Sequence, residues 1–251
     1  MKYVGLSRYT DESVEKLLEV EPEGVVLGDL LCNRKMFPYC GNELVEIMQT
    51  FKKKGISVIY QTPMYITDRV FSEILQKIVY FYENKLIDAV IVQDIGLAST
   101  IHAKFNDITM IWGRMGYART PIVNISTLLF YMRHGVNAFE CRNAEQAKCA
   151  KKIGASSYLV YGYPKYLTIN RECYYRFEHN LFEEDCGLGC LKREKIRIPA
   201  KQIIDSTIDG YVLGWEHVYD EKCIRNTEIC DNYIVYADSF SGIKKRYHEL
   251  V

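Results

Sequence analysis

Short apolar runs alternate with amphipathic stretches along most of this chain, and that alternation leaves few folds open. The runs are "YVGLS" (3–7), "GVVLGD" (24–29), "ISVIYQT" (56–62), "AVIVQD" (89–94), "TMIWGR" (109–114), "AFECR" (138–142), "SYLVYG" (157–162) and "GYVLGW" (210–215). Near-continuous Val, Ile, Leu and Tyr, without strict polar alternation, predict strands covered on both faces. Between them lie segments with helical spacing. "DESVEKLLEV" (11–20) begins with a capping residue and a charged first turn, and "GNELVEIMQTFKKKG" (41–55) stops at Lys54-Gly55. "TDRVFSEILQKIVYFYENK" (67–85) opens on Thr67 or Asp68 as cap, while the segments 124–135 and 143–154 close on Gly135 and Gly154. Strand and helix recur six or seven times, at intervals of roughly 20 to 32 residues. Parallel units with right-handed crossovers close most naturally into a (β/α)8 TIM-type barrel, with an open doubly wound sheet as the runner-up.

After residue 163 the rhythm breaks. Residues 164–201 are long, polar and cysteine-bearing, too long for an ordinary loop in a compact domain unless functional. No linker divides the chain, so the sequence predicts a single barrel domain over 1–251 with an insertion at about 164–201. The C-terminal end is short, which predicts a last strand that is displaced, missing or supplied in another way.

Charge narrows the function classes. Lys plus Arg and Asp plus Glu balance at 32 each, so no global field favours nucleic acid or an anionic membrane. No apolar N-terminal segment matches a signal peptide, and no window reaches the roughly 18–20 apolar residues of a membrane span. These features predict a cytoplasmic protein, where thiols stay reduced. Nine cysteines in such a setting point to metal or catalysis more than to disulfides.

Three of the nine, Cys173, Cys186 and Cys190, fall within "RECYYRFEHNLFEEDCGLGC" (171–190). Their C-x12-C-x3-C spacing matches neither zinc knuckles nor the common ferredoxin patterns. Gly187 and Gly189 leave the backbone unhindered there, so a bulky group could sit close to it. A fourth, Cys32, follows the second strand by a short step, on the rim that the insertion also leaves. Four thiolates suit zinc or an iron–sulfur cluster. For Cys40, Cys149, Cys223 and Cys230 the residue patterns predict buried free thiols.

In a barrel, chemistry gathers at the carboxyl ends of the strands. Those positions read Asp29, Gln61, Gln93 with Asp94, Arg114, Glu140 with Cys141, and Tyr161. Gln93 and Asp94 could bind an acid or shuttle a proton, or simply cap backbone groups. Arg114 is the candidate to hold a substrate carboxylate in two bonds, or else to pair with Asp94 or Glu140. Cys141, after a strand end, is a candidate for substrate contact or redox work.

"VVLGDLLCNRKMF" (25–37), "DAVIVQDIG" (88–96) and "YGYPKYLTINRECYYRFEHNLFEEDCGLGC" (161–190) resemble the collagenase-like peptidase family U-thirty-two, and most closely its ubiquinone-biosynthesis members. The resemblance implies a (β/α) barrel and a [4Fe–4S] cluster on Cys32, Cys173, Cys186 and Cys190. It also implies oxygen-independent hydroxylation of a small aromatic or quinone-precursor substrate, with a prephenate-like donor and a paralogous chain as heterodimer partner. On that footing Arg34 and Arg176 would offset cluster charge, and Tyr174 and Tyr175 would shield it. The catalytic positions expected from the strand ends themselves are Gln93, Asp94, Arg114 and Glu140. A non-catalytic electron-relay or scaffold subunit and RNA base hydroxylation are the rivals. Peptidase chemistry comes last, since neither H-E-x-x-H nor G-x-S-x-G occurs. The chain departs from the family pattern at "LTINREC" and at "AFECRNAEQ".

Overall fold

The structure is a computed structural model. It describes residues 1–6, 11–28, 42–63, 66–113, 124–165, 168–169, 173–180, 195–198, 204–209, 212–213, 216–218, 230–237 and 247. The chain divides into two compact units, Met1–Gly162 with Tyr219–Val251, and Tyr163–Val218.

The first unit is a closed barrel of eight strands. Seven arise from the repeat: β1 (Lys2–Leu6), β2 (Gly24–Gly28), β3 (Ser57–Gln61), β4 (Ala89–Val92), β5 (Thr109–Trp112), β6 (Ala138–Cys141) and β7 (Ser156–Tyr161). Helices α1 (Asp11–Glu19), α2 (Asn42–Lys53), α3 (Asp68–Glu83), α4 (Ile95–Lys104), α5 (Ile125–Arg133) and α6 (Ala144–Lys152) alternate with them. All barrel neighbours pair in parallel. Alternate strand residues face the helices, and there Val25, Tyr60, Val90, Met110 and Phe139 pack on Leu17, Met48, Phe51, Ile78 and Ile101. The intervening residues face the lumen. Both faces are covered, which is why the strands read as unbroken apolar runs.

Four helices end alike. Gly55, Gly135 and Gly154 adopt positive φ after α2, α5 and α6, and Lys85 does so after α3. Each turn carries the paired bonds of a Schellman motif, as in Ile56 N–H to Phe51 O (3.0 Å) and Gly55 N–H to Lys52 O (3.0 Å). The next residue is buried in every case (Ile56, Leu86, Val136 and Ala155), so the motif feeds the chain straight into the following strand. Among the described residues no helix is long and apolar enough to cross a membrane.

The strand order of the barrel revises the expectation for its far end. The run at 210–215 does not supply a barrel strand: its described residues, Val212 and Leu213, form a strand of the second unit. The eighth barrel strand is Asn232–Ala237, which pairs with β1 from Lys2↔Tyr233 to Leu6↔Ala237 and with β7 from Asn232↔Tyr158. The barrel is therefore complete.

The second unit is antiparallel. β8 (Tyr163–Lys165) pairs with β13 (Glu216–Val218), in register Tyr163↔Val218. A four-stranded sheet runs β10 (Lys195–Ile198), β11 (Ile204–Asp209), β12 (Val212–Leu213), β9 (Thr168–Ile169), and the short helix α7 spans Tyr174–Glu178. The final barrel strand Asn232–Ala237 is thus β14 in chain order. The unit runs beyond the 164–201 stretch expected from sequence, because its closing strand lies at 216–218.

Candidate functional site

The two ends of the barrel lumen differ in chemistry. At the amino end, Gly24 leaves room for the Tyr3 ring, which lies 5.8 Å from that of Tyr158. Tyr3 Oη and Ser57 Oγ share a hydrogen bond of 3.4 Å. Burial first, and the neighbouring Tyr3 next, push the Tyr158 hydroxyl far above its ordinary pKa. Asp88 ties this end together. Its carboxylate accepts from Lys52 Nζ (2.6 Å), Ser57 Oγ (3.0 Å) and the Val58 amide (2.8 Å). Burial would raise its pKa, but these donors outweigh it and hold the group below the usual carboxylate value. This end is a plug.

The carboxyl end carries the buried polar groups that a plain core does not need. Gln61 closes β3, Gln93 follows β4 and Glu140 sits near the end of β6, at 5%, 7% and 4% exposure. Strand parity sends all three toward the lumen, since their neighbours Tyr60, Val92 and Phe139 belong to the helix-facing core. Tyr236 of β14 reaches across to them, donating from its hydroxyl to Glu140 Oε1 at 3.2 Å. Gly5 on β1 permits this, because a Cβ there would stand 2.6 Å from the Tyr236 ring. Gly113 does the same for Gln93, whose Cγ lies 2.6 Å from where a Cβ would be.

The polar groups around this mouth differ in how they are satisfied. Thr62 is fully buried, and both its amide (2.9 Å) and its hydroxyl (3.0 Å) bond to Ile91 O. Gln93 has neither: Oε1 and Nε2 are buried without a hydrogen-bond partner among the described residues. An amide so placed is poised for a ligand or water. Asp94, the next residue, caps α4, its Oδ1 accepting from Leu97 N–H at 2.7 Å. The end of β6 is clamped as well. Asn143 Oδ1 accepts from Gln146 N–H (3.0 Å) and Gln146 Oε1 from Arg142 N–H (2.7 Å), which fixes the strand carrying Glu140.

Two residues expected at the mouth are elsewhere. Cys141 and Tyr161 face the helices and are 1% exposed, one step out of phase with Glu140 and Val160. The Cys141 thiol donates to Phe139 O (3.5 Å). Burial, then Cys230, Glu140 and Cys149 nearby, push its pKa far up, so it stays a thiol. The expectation of a reactive Cys141 at the active face is thereby corrected. Tyr236 was not expected at all, because the strand that carries it was not recognised in the sequence.

In the second unit Cys173 is a free thiol, 5% exposed, immediately before α7, with its carbonyl accepting from Phe177 N–H (3.1 Å). Arg176 and Tyr175 on α7 are half-buried, and the Tyr175 and His179 rings lie 4.4 Å apart. Asp29, Cys32, Arg34, Cys40, Arg114, Cys186, Cys190 and Cys223 lie outside the described residues. Among the described residues no group of three or more His, Cys, Asp or Glu is arranged to hold a metal ion.

No family model matches the sequence, and no curated protein matches it either. Solved structures do. A U32 peptidase superposes with a TM-score of 0.56 at 14% identity, over 95% of this chain and 92% of its own. A structure from Aquifex aeolicus VF5 gives 0.55 at 11% identity, over 99% of this chain and 90% of that one. A glycerophosphodiester phosphodiesterase from Parabacteroides distasonis ATCC 8503 gives 0.51 at 10% identity, over 98% and 97%. These likenesses are of fold, and the chain is a (β/α)8 barrel protein that carries an antiparallel second unit.

Proposed function

We propose that this chain is an iron–sulfur protein of the U-thirty-two peptidase-like kind, related to its ubiquinone-biosynthesis members. On this reading it supports oxygen-independent hydroxylation of a small aromatic substrate, with a prephenate-like donor, in the cytoplasm. A paralogous chain completes it as a heterodimer. The cysteine pattern supports the reading from the sequence, and the likeness to a U32 peptidase along nearly the whole chain supports it from the fold. The single observation that carries it is Cys173, a buried thiol outside any disulfide.

The donor set suits the group. Four thiols, one of them described and shielded from water, are soft ligands of the kind that hold a [4Fe–4S] cluster. Cys32, Cys173, Cys186 and Cys190 would hold it, and when bound it would supply Lewis-acid or electron-transfer chemistry. The barrel residues do the rest. Gln93 and Glu140 with Tyr236 orient the substrate at the mouth. Glu140 takes or returns a proton through its Oε1, where the Tyr236 hydroxyl already donates. Arg114, directly after Gly113 in the sequence, is the proposed fork for a donor carboxylate.

Anaerobic purification with an absorption spectrum and iron and sulfide counts, beside Cys186→Ala, tests this. The expected result is a broad visible band with iron and sulfide in the wild type, and its loss in the variant. A colourless chain holding zinc through the same thiols makes the site structural. A chain holding no metal overturns the redox reading. Loss of paired activity in Arg114→Ala with the cluster retained separates a substrate-holding chain from an electron relay.

A further inference from the structure

We infer that Gln93 reads a ligand carboxamide inside the lumen mouth: a neutral planar group that sets an N–H donor beside a C=O acceptor. This rests on the reading that the mouth is the binding site, and not on the cluster. Gln93 is 7% exposed, and neither atom of its amide has a hydrogen-bond partner among the described residues. Its position is nonetheless fixed. Bare Gly113 admits the side chain against β5, where Ile91 Cγ2 also lies 2.9 Å from the missing Cβ. The barrel strands thus seat the amide against Gly113 while the described residues give it nothing to bond. Thr62, at the neighbouring strand end, is by contrast satisfied from within, its amide and hydroxyl both bonding to Ile91 O.

The chemistry of the amide selects the partner. Oε1 only accepts and Nε2 only donates. A carboxamide facing it closes two hydrogen bonds at once. A carboxylate can take the Nε2 proton but sets its second oxygen against Oε1, with no proton between them. A tertiary amide leaves Oε1 unpaired. Sites built to hydrogen-bond a group discriminate strongly against analogues that lack it, because their own buried atoms are then left bare.

Benzamide, benzoate and N,N-dimethylbenzamide share a ring and differ in this group alone. Ligand-observed NMR titrations of the full chain at neutral pH separate them. Benzamide is expected to bind at least about tenfold more tightly than either of the others. In Gln93→Leu the three converge, while Tm rises by roughly 2–4 °C because an apolar group replaces an orphaned amide. Equal binding of the three by the wild type, benzamide binding unchanged in Gln93→Leu, or no binding at all overturns the inference. If Tyr236→Phe shifts all three equally while the wild type does not rank them, the mouth remains the site and only the amide reading falls. If no probe responds to either substitution, the reading of the mouth falls with it. Iron and sulfide counts report on the cluster independently of both.

Discussion

At the scale of single residues, parity decides what each strand end can do. Glu140 and Cys141 are adjacent, yet one faces the lumen and the other the helices. The sequence shows that both lie at a strand end but not which way either points, because a run such as "AFEC" is buried on both faces. Gln93 is the legible case: a polar residue closing "AVIVQ" stands out because nothing before it is polar. Cys141 carries a prediction. Its raised pKa and burial leave almost no thiolate at neutral pH, so iodoacetamide should label it only after unfolding. Labelling of the native chain, read by peptide mass spectrometry, should find Cys141 unmodified. Modification there on the timescale of an exposed thiol would sink its assignment to the helix-facing core.

Elements add a different layer of cause. Helix α4 escaped the sequence reading because "IGLASTIHAK" shows little polar contrast, and Ser99 and Thr100 bond back to Ile95 O and Gly96 O (both 2.8 Å). Its start is marked by Asp94, whose cap can be weighed against any role at the mouth. Asp94→Ala should cost about 1 kcal/mol, a Tm drop of roughly 2–4 °C, and Asp94→Ser should recover most of it. If both variants keep wild-type activity in the assembled protein, Asp94 is a capping residue alone. Asp88 joins three elements, since it binds Lys52 of α2 and Ser57 and Val58 of β3 from just ahead of β4. Its folded pKa is lowered, so its contribution is present above the unfolded value of about 3.9 and is lost as pH falls through the folded one. Thermal melts between neutral and acid pH should therefore show a steeper loss below about pH 4 in the wild type than in Asp88→Asn. Parallel curves for the two would refute that linkage.

For the whole molecule, the barrel was legible and the position of its closing strand was not. Repetition revealed seven strands, since each is one step of the same strand–helix rhythm. β14 breaks it: "NYIVYA" follows the second unit and the stretch 219–229, with no helical pattern ahead of it, and only its distant partners β1 and β7 define it as a barrel strand. The four-cysteine site is proposed from spacing, and of Cys32, Cys173, Cys186 and Cys190 only Cys173 is among the described residues. The second unit offers a test at this scale. Tyr163 and Val218 are register partners, so it begins and ends at adjacent residues. Replacing Tyr163–Val218 by a short Gly/Ser link should leave a barrel with a cooperative melt and parallel α/β circular dichroism, but without iron. Loss of cooperative unfolding in that variant would show that the barrel depends on the unit.

The position of β14 also sets a schedule. On the ribosome β7 emerges roughly 70 residues before β14, which at synthesis rates of about 5–20 residues per second is a wait of several seconds. Throughout it β1 and β7 lack the neighbour that separates them in the finished sheet. A nascent chain with two such rows of unbonded amides and carbonyls is open to pairing with other chains. The second unit, made in that interval, is complete before its host is, and the barrel becomes a barrel only once β14 has been made.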